Sequence, residues 1–182
     1  MKRKDKKQQL EMFEQIDAPQ RVLNYVKEGN FLYSEAQLKM LDLPNVIELV
    51  RLYVQHYSLS EEAQLKMFEL TNAELVFVLH IRRCPLCEKA QLHMFEVKDA
   101  EHFIKMYIQS YTLSPKAQMM LFDLPNGVEI IREYIKKHSL ADEIEIKLLD
   151  SDEAKEVCRI YCQKYYLGYK AQEKLYEMQK NE

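Results

Sequence analysis

Apolar positions along this chain recur in a fixed register. "AQLKML" begins at Ala36, "AQLKMF" at Ala63, "AQLHMF" at Ala90, "AQMMLF" at Ala117 and "AQEKLY" at Ala171, with a degraded copy, "IEIKLL", at Ile144. Successive starts lie 27 residues apart throughout. In the Ala63 copy, Leu59, Ala63, Met67 and Leu70 are spaced by four, four and three, which is one face of a helix. Leu65 and Phe68 form a second apolar face, so this helix is predicted to pack on two sides.

A short break follows each copy: "LPN" at Leu43–Asn45 and Leu124–Asn126, "LTN" at Leu70–Asn72. Proline cannot continue the first helix. Asp17, Asn45, Asn72, Asp99, Asn126 and Asp152 then stand where a second helix begins, and their side chains are expected to cap its orphan backbone N–H groups. Val46, Leu49, Val50, Tyr53, Val54 and Tyr57 form its apolar arc. Ala100, Phe103, Ile104, Tyr107, Ile108 and Tyr111 fill the same slots two copies later. Ser60 and Ser114 are expected to cap the next helix of the first type. Each unit thus reads as helix, tight turn, helix, tight turn.

A period of this length is what stacked units produce. The expectation is an all-α chain forming a single domain over 1–182, a right-handed α–α superhelix (solenoid) of about six helix-pair repeats. The repeats start near 8, 34, 60, 87, 114 and 141, behind a frayed basic segment over 1–7. A polar helix over 168–180 is expected to close the stack, because a terminal unit must shed apolar surface. The pattern resembles the helix-pair solenoids, the class of the tetratricopeptide, HEAT and armadillo repeats. The resemblance covers essentially the whole chain and is one of architecture.

Composition agrees with helix. The 182 residues are 47% hydrophobic and 30% charged with 3 Gly and 5 Pro, a balance that favours straight-chain helix formers over turns and strands. So few glycines also exclude a phosphate-cradling loop, and neither G-x-S-x-G nor H-E-x-x-H occurs. The carboxylates recur along a row instead of forming one mismatched pair, so no general acid and base emerge. The chain is therefore expected not to be an enzyme and to need no cofactor. A net charge of −3 gives no global attraction for nucleic acid or anionic lipid. The longest apolar run, "ELVFVLHI" at Glu74–Ile81, is far short of the roughly 20 residues that span a bilayer. The basic N-terminus leads into no apolar segment, so a cytoplasmic location is expected. Four cysteines, grouped as Cys84/Cys87 and Cys158/Cys162, make no disulfide framework.

The recurring slots have bland and sharp readings. The alanine implies close helix approach. The glutamine after it (Gln37, Gln64, Gln91, Gln118, Gln172) is expected to be half buried and bonded to neighbouring turns, since an unpaired buried amide costs roughly 1–3 kcal/mol. An acid row (Asp42, Glu69, Glu96, Asp123, Asp150, Glu177) is expected to pair with Lys39, Lys66, Lys147 and Lys174, three residues earlier. Tyr53, Tyr57, Tyr107, Tyr111, Tyr134 and Tyr161 form rows on the second helices that suit either core edge or recognition. Beside them runs a basic ridge of Arg51, Arg82, Arg83, Lys105, Arg132, Lys136, Lys137, Arg159 and Lys164. Glu48, Glu129 and Glu156 are placed to neutralise Arg51, Arg132 and Arg159.

One stretch breaks the pattern. In "HIRRCPLCEKAQLH", His80 and Cys84 take the two Tyr slots and Cys87 takes the Ser cap. Thiolate and imidazole ligands suit zinc, so His80, Cys84 and Cys87 are a partial metal set with no fourth ligand evident. A redox pair and plain packing thiols are the alternatives. Cys158 and Cys162 occupy slots held elsewhere by isoleucine and are expected to be buried. The reading that unites these features is a non-enzymatic scaffold binding a protein or peptide along its concave helical face. The candidate contacts are Tyr53, Tyr57, Tyr107, Tyr111, Tyr134 and Tyr161 with Arg51, Arg82, Lys105, Arg132 and Arg159. A nucleic-acid binder using the basic ridge is the alternative.

Overall fold

The computed structural model describes residues 4–151 and 155–180, and every α- or β-type element among them is helical. Helices of the first type are α1 (Lys6–Met12), α3 (Ser34–Leu41), α5 (Glu61–Met67), α7 (Glu88–His93), α9 (Pro115–Met120), α11 (Asp142–Asp150) and α13 (Tyr169–Lys180). Between them lie α2 (Ala18–Lys27), α4 (Val46–Tyr53), α6 (Ala73–Ile81), α8 (Ala100–Tyr107), α10 (Gly127–Tyr134) and α12 (Lys155–Lys164). A 3-10 turn, Leu121–Asp123, extends α9. The longest helix has 12 residues and several have six or seven. Helices this short are marginal alone in water, so their stability comes from packing.

The chain divides into two compact units, Met1–Phe103 and Ile104–Glu182. In the first, α1, α3, α5 and α7 pack in succession, and so do α2, α4 and α6. In the second, α9, α11 and α13 form one succession and α10 packs on α12. Each unit is therefore two layers of short helices. The invariant slots explain the spacing. Ala36, Ala63, Ala90, Ala117 and Ala171 have no exposed surface, and Met40, Met67 and Met94, four residues after the first three of them, are equally enclosed. A residue without rotamers lets successive helices approach closely, and a flexible methionine fills the gap beside it.

The turns inside the units repeat one backbone bond. Val46, Ala73, Ala100 and Gly127 each donate N–H to the carbonyl three residues back, at Leu43, Leu70, Val97 and Leu124. At Gly127 the 3-10 turn presses in so closely that a Cβ would lie 1.9 Å from the Leu121 carbonyl oxygen. Only glycine fits there. Gly29, at φ 72°, absorbs the extra residue of the first unit.

Helix starts follow two rules. Ser60 and Ser114 cap as expected, each hydroxyl accepting from the N–H three residues on, at Ala63 and Ala117. Asp5 forms a capping box with Gln8, so α1 begins at Lys6, within the segment expected to fray. Residues 1–3 of that segment lie outside the described residues. The Asn and Asp caps are a correction. Asp17, Asn45, Asn72 and Asn126 do precede second-type helices, but none caps through its side chain. Their ψ of 23° to 33°, set by the tight turn, is not the extended geometry a capping side chain needs. Asn45 instead reaches the Pro19 carbonyl of the preceding unit, and Asp17 binds Arg21 at 2.6 Å. Asp152 lies outside the described residues.

Candidate functional site

The glutamine slot is the centre of a buried network that recurs in both units. Gln37 Nε2 donates to the Leu32 carbonyl at 2.8 Å and to the Tyr53 hydroxyl at 3.1 Å, and its Oε1 accepts from Ser60 N–H at 2.7 Å. Tyr53 Oη in turn donates to the Leu32 carbonyl. One amide thus binds its own turn, its own second helix and the cap residue of the next unit. Gln118 repeats this with Leu113, Tyr134 and Ala141 N–H. Glu145 takes the slot in the degraded copy. Being a carboxylate it accepts twice, from Tyr161 Oη at 2.7 Å and from Gly168 N–H at 2.7 Å.

This network fixes the place of the tyrosines. Tyr53, Tyr107, Tyr134 and Tyr161 are at most 1% exposed. Burial raises the Tyr134 phenol to about 12 and pushes Tyr161 up as well, with the bond to Glu145 adding to the latter. Rings so enclosed belong to the core and have no surface to offer a partner. Tyr57 and Tyr111, one turn on, are half buried and lie against Tyr53 and Tyr107. Tyr57 Oη is also engaged, donating to the Gly29 carbonyl at 2.9 Å.

The basic ridge divides into engaged and free members. Arg132 is half buried and pairs with Glu129 at 3.6 Å and with Glu156 of the next second-type helix at 3.3 Å. Lys137 binds the Gln109 carbonyl at 2.9 Å, and Lys164 binds the Lys136 carbonyl, so these lysines close the C-terminal ends of preceding helices. Lys105 is half buried and partnered. Arg51, Arg82, Arg83 and Arg159 are exposed, and no carboxylate pairs with them among the described residues. Glu48 does not neutralise Arg51 as expected. It turns to Lys27 at 3.5 Å. The acid row is corrected in the same sense: Lys66 reaches Asp42, and Lys174 reaches Asp150, both 24 residues back in the preceding unit. For these two acids the pairing runs to the preceding first-type helix, whereas Glu96 pairs with His93, three residues earlier, at 2.9 Å.

At the anomalous stretch, His80 is fully buried in the slot of Tyr53, and neither ring nitrogen meets a hydrogen-bond partner. Desolvation lowers its pKa to about 4. Cys84 and Cys87 are half buried. Gln64 Oε1 still accepts from Cys87 N–H at 2.8 Å, so the seam survives the substitution of tyrosine. Among the described residues no group of three or more His, Cys, Asp or Glu side chains converges to hold a metal ion. Cys158 and Cys162 correct the expectation of burial: the first is half buried and the second exposed. Desolvation and the neighbouring Cys162 raise the Cys158 thiol to about 11.

Two surface features were not singled out from the sequence. A cleft of about 490 Å³ opens between the α5–α6 and α7–α8 turns, floored by Phe68 and Phe103 and edged by Glu74, Lys98 and His102. Beside it, Leu75 on α6 is 58% exposed. The available signal was that Leu75 stands in the slot of Glu48 and Glu129. No family model, no curated protein and no solved structure matches this chain.

Proposed function

We propose that the chain is a non-enzymatic helical-repeat scaffold, a right-handed α-solenoid that binds a protein or peptide partner. The observation that carries this reading is the division of labour between slots. The recurring polar groups Gln37, Gln118, Tyr53 and Tyr134 are engaged inside the seams. The surface is left to residues that differ from unit to unit. A repeat array with a uniform interior and a varied exterior suits recognition along an extended face. The same bonds recur in each of the two compact units. Burial of Tyr53, Tyr107, Tyr134 and Tyr161 moves the contact surface away from the tyrosine row and toward the exposed side of the second-type helices. Arg51, Arg82, Arg83 and Arg159, exposed and without carboxylate partners among the described residues, keep a nucleic-acid reading in the test.

The experiment is capture from native lysate on the immobilised protein, with and without nuclease, at low and moderate salt. A discrete protein retained after nuclease supports the scaffold. Recovery that vanishes with nuclease, or with salt in the steep manner of phosphate contacts, overturns it in favour of nucleic acid.

A further inference from the structure

Helix α6, "AELVFVLHI", is apolar at almost every position. A helix apolar around its whole circumference is ordinarily covered on all sides. This one is not. Val76, Phe77, His80 and Ile81 face the core, whereas Leu75 is 58% exposed and Val78 and Leu79 are half buried. With Arg82, these residues stand at i, i+3, i+4 and i+7, one stripe of the helix.

The same slots elsewhere show what has changed. On α4 they hold Glu48, Arg51, Leu52 and Gln55; on α10 they hold Glu129, Arg132, Glu133 and Lys136. The Glu/Arg pair of the repeat has become Leu75/Val78 on α6 alone among α4, α6, α10 and α12. Helix α4 packs beside α6, so half-buried Leu52, in the slot of Leu79, continues the apolar strip onto α4. The rim of this strip is cationic. Arg51, Arg82 and Arg83 are exposed and lack carboxylate partners among the described residues. The nearby acids are engaged elsewhere, Glu48 with Lys27 and Glu74 with His102 at 3.2 Å.

We propose that the Leu52/Leu75/Val78/Leu79 strip on α4 and α6 docks an acidic amphipathic α-helix of a partner protein, deepening the scaffold reading on which it rests. The partner's apolar residues, spaced i, i+3 or i+4, and i+7, lie on the strip, and flanking Glu or Asp residues meet Arg51, Arg82 and Arg83. An apolar centre inside a charged rim is the anatomy of a protein interface. A strip carried on two packed helices suits the apolar stripe of a third helix and offers no sheet edge for a strand. Nucleic acid fits poorly, because phosphates over Leu75 and Val78 would lose water without gaining a partner.

The test uses the full chain and a variant, Leu75→Glu with Val78→Arg, which restores the repeat's own surface pair and so keeps the fold, as circular dichroism and the melting temperature verify. A displayed library of peptides about 16 residues long, enough for four helical turns, is selected on the parent chain. Enriched peptides are expected to be acidic with apolar residues at helical spacing. A synthetic copy should bind at least about tenfold more weakly to the double variant and to Arg51→Ala with Arg82→Ala. A proline placed in the middle of the peptide should abolish binding. Enrichment of basic or extended peptides, equal binding to parent and variant, or no enrichment overturns the proposal. So does a concentration-dependent dimer of the parent that the double variant loses, which would assign the strip to a second copy. Lysate capture separates the two levels. A protein retained equally by parent and variant leaves the scaffold standing and removes this surface from it, whereas capture by neither removes both.

Discussion

Replacing His80 by tyrosine returns the seam between α5 and α6 to the form it has elsewhere, and the consequence can be sized. The His80 ring is fully buried with both nitrogens unbonded, and desolvation brings its pKa from 6.5 down to about 4; the Pro85 backbone opposes this weakly without forming a good bond. Above the unfolded value the imidazole is neutral in both states and costs nothing in protonation. As pH falls below 6.5 the unfolded chain takes up a proton that the folded chain refuses until about 4, so stability drains away across that window. At about 1.4 kcal/mol per pH unit the full loss is about 3 kcal/mol. Tyrosine does not titrate there. Its hydroxyl should also meet Leu59 N–H and the Gln64 amide, as Tyr53 meets Leu32 N–H and Gln37, adding about 1–2 kcal/mol at neutral pH. Urea unfolding followed by circular dichroism at pH 7.5 and 4.5 measures both effects. Between those pH values the parent should lose about 2–3 kcal/mol more than His80→Tyr. Comparing the two cancels the acid response of the carboxylates they share. Equal losses in parent and variant would refute the assignment of acid lability to His80. A destabilised variant at pH 7.5 would show that this slot, unlike its equivalents, is too small for the larger ring.

Other substitutions test the remaining seams. Gln37→Ala strands the Ser60 N–H and removes one partner each from the Leu32 carbonyl and the Tyr53 hydroxyl, which still bond each other, and should cost about 1–3 kcal/mol in urea unfolding. Gln172→Ala removes one exposed bond, to the Leu167 carbonyl, and should cost less than about 0.5 kcal/mol. Gly127→Ala drives a Cβ into the Leu121 carbonyl and should cost about 2 kcal/mol or more, read as a lowered melting temperature. Glu145→Gln restores the repeat's amide, which can donate to the Leu140 carbonyl while accepting from Gly168 N–H. It should fold within about 1 kcal/mol of the parent, whereas Glu145→Ala should lose about 1–3 kcal/mol. With its thiol raised to about 11, Cys158 should alkylate at pH 8 at least about tenfold more slowly than exposed Cys162, followed by mass spectrometry of the labelled peptides.

The period was legible because each seam must be filled by the same side chains. Ala63, Gln64 and Met67 recur for the reason that Ala36, Gln37 and Met40 do, and the helix pairs follow from their spacing. What sequence alone misplaced were relations between units. Helical spacing points Lys66 to Glu69, but it reaches Asp42 in the preceding repeat. The turn points Asn45 to its own helix start, but it reaches Pro19. In both cases a pairing rule for an isolated helix lost to a neighbour that stacking supplies. The tyrosine slot was ambiguous because an amphipathic ring satisfies core and surface alike; the Gln37 amide, which needs a buried acceptor, decides for the core. Cys162 matches an isoleucine slot yet is exposed, so the slot alone does not decide burial.

Since recurrence is accounted for by packing, departures from the repeat are where other properties must be sought, and they differ in kind. His80 and Glu145 depart inside the seams. Each alters hydrogen bonding or protonation, and each can be felt at the surface only by changing stability. Leu75 and Val78 depart on the outside of α6, where the Glu/Arg pair they replace supports no core packing. Surface substitutions of this sort gain no burial within the chain, and exposing Leu75 to water is unfavourable by the same hydrophobic term that stabilises Leu49 in the core. An apolar stripe left open beside arginines with no carboxylate partner among the described residues is what the proposed docking would cover. That is why the consensus-restoring variant, Leu75→Glu with Val78→Arg, is informative: it should leave the fold intact, or slightly more stable, and remove binding.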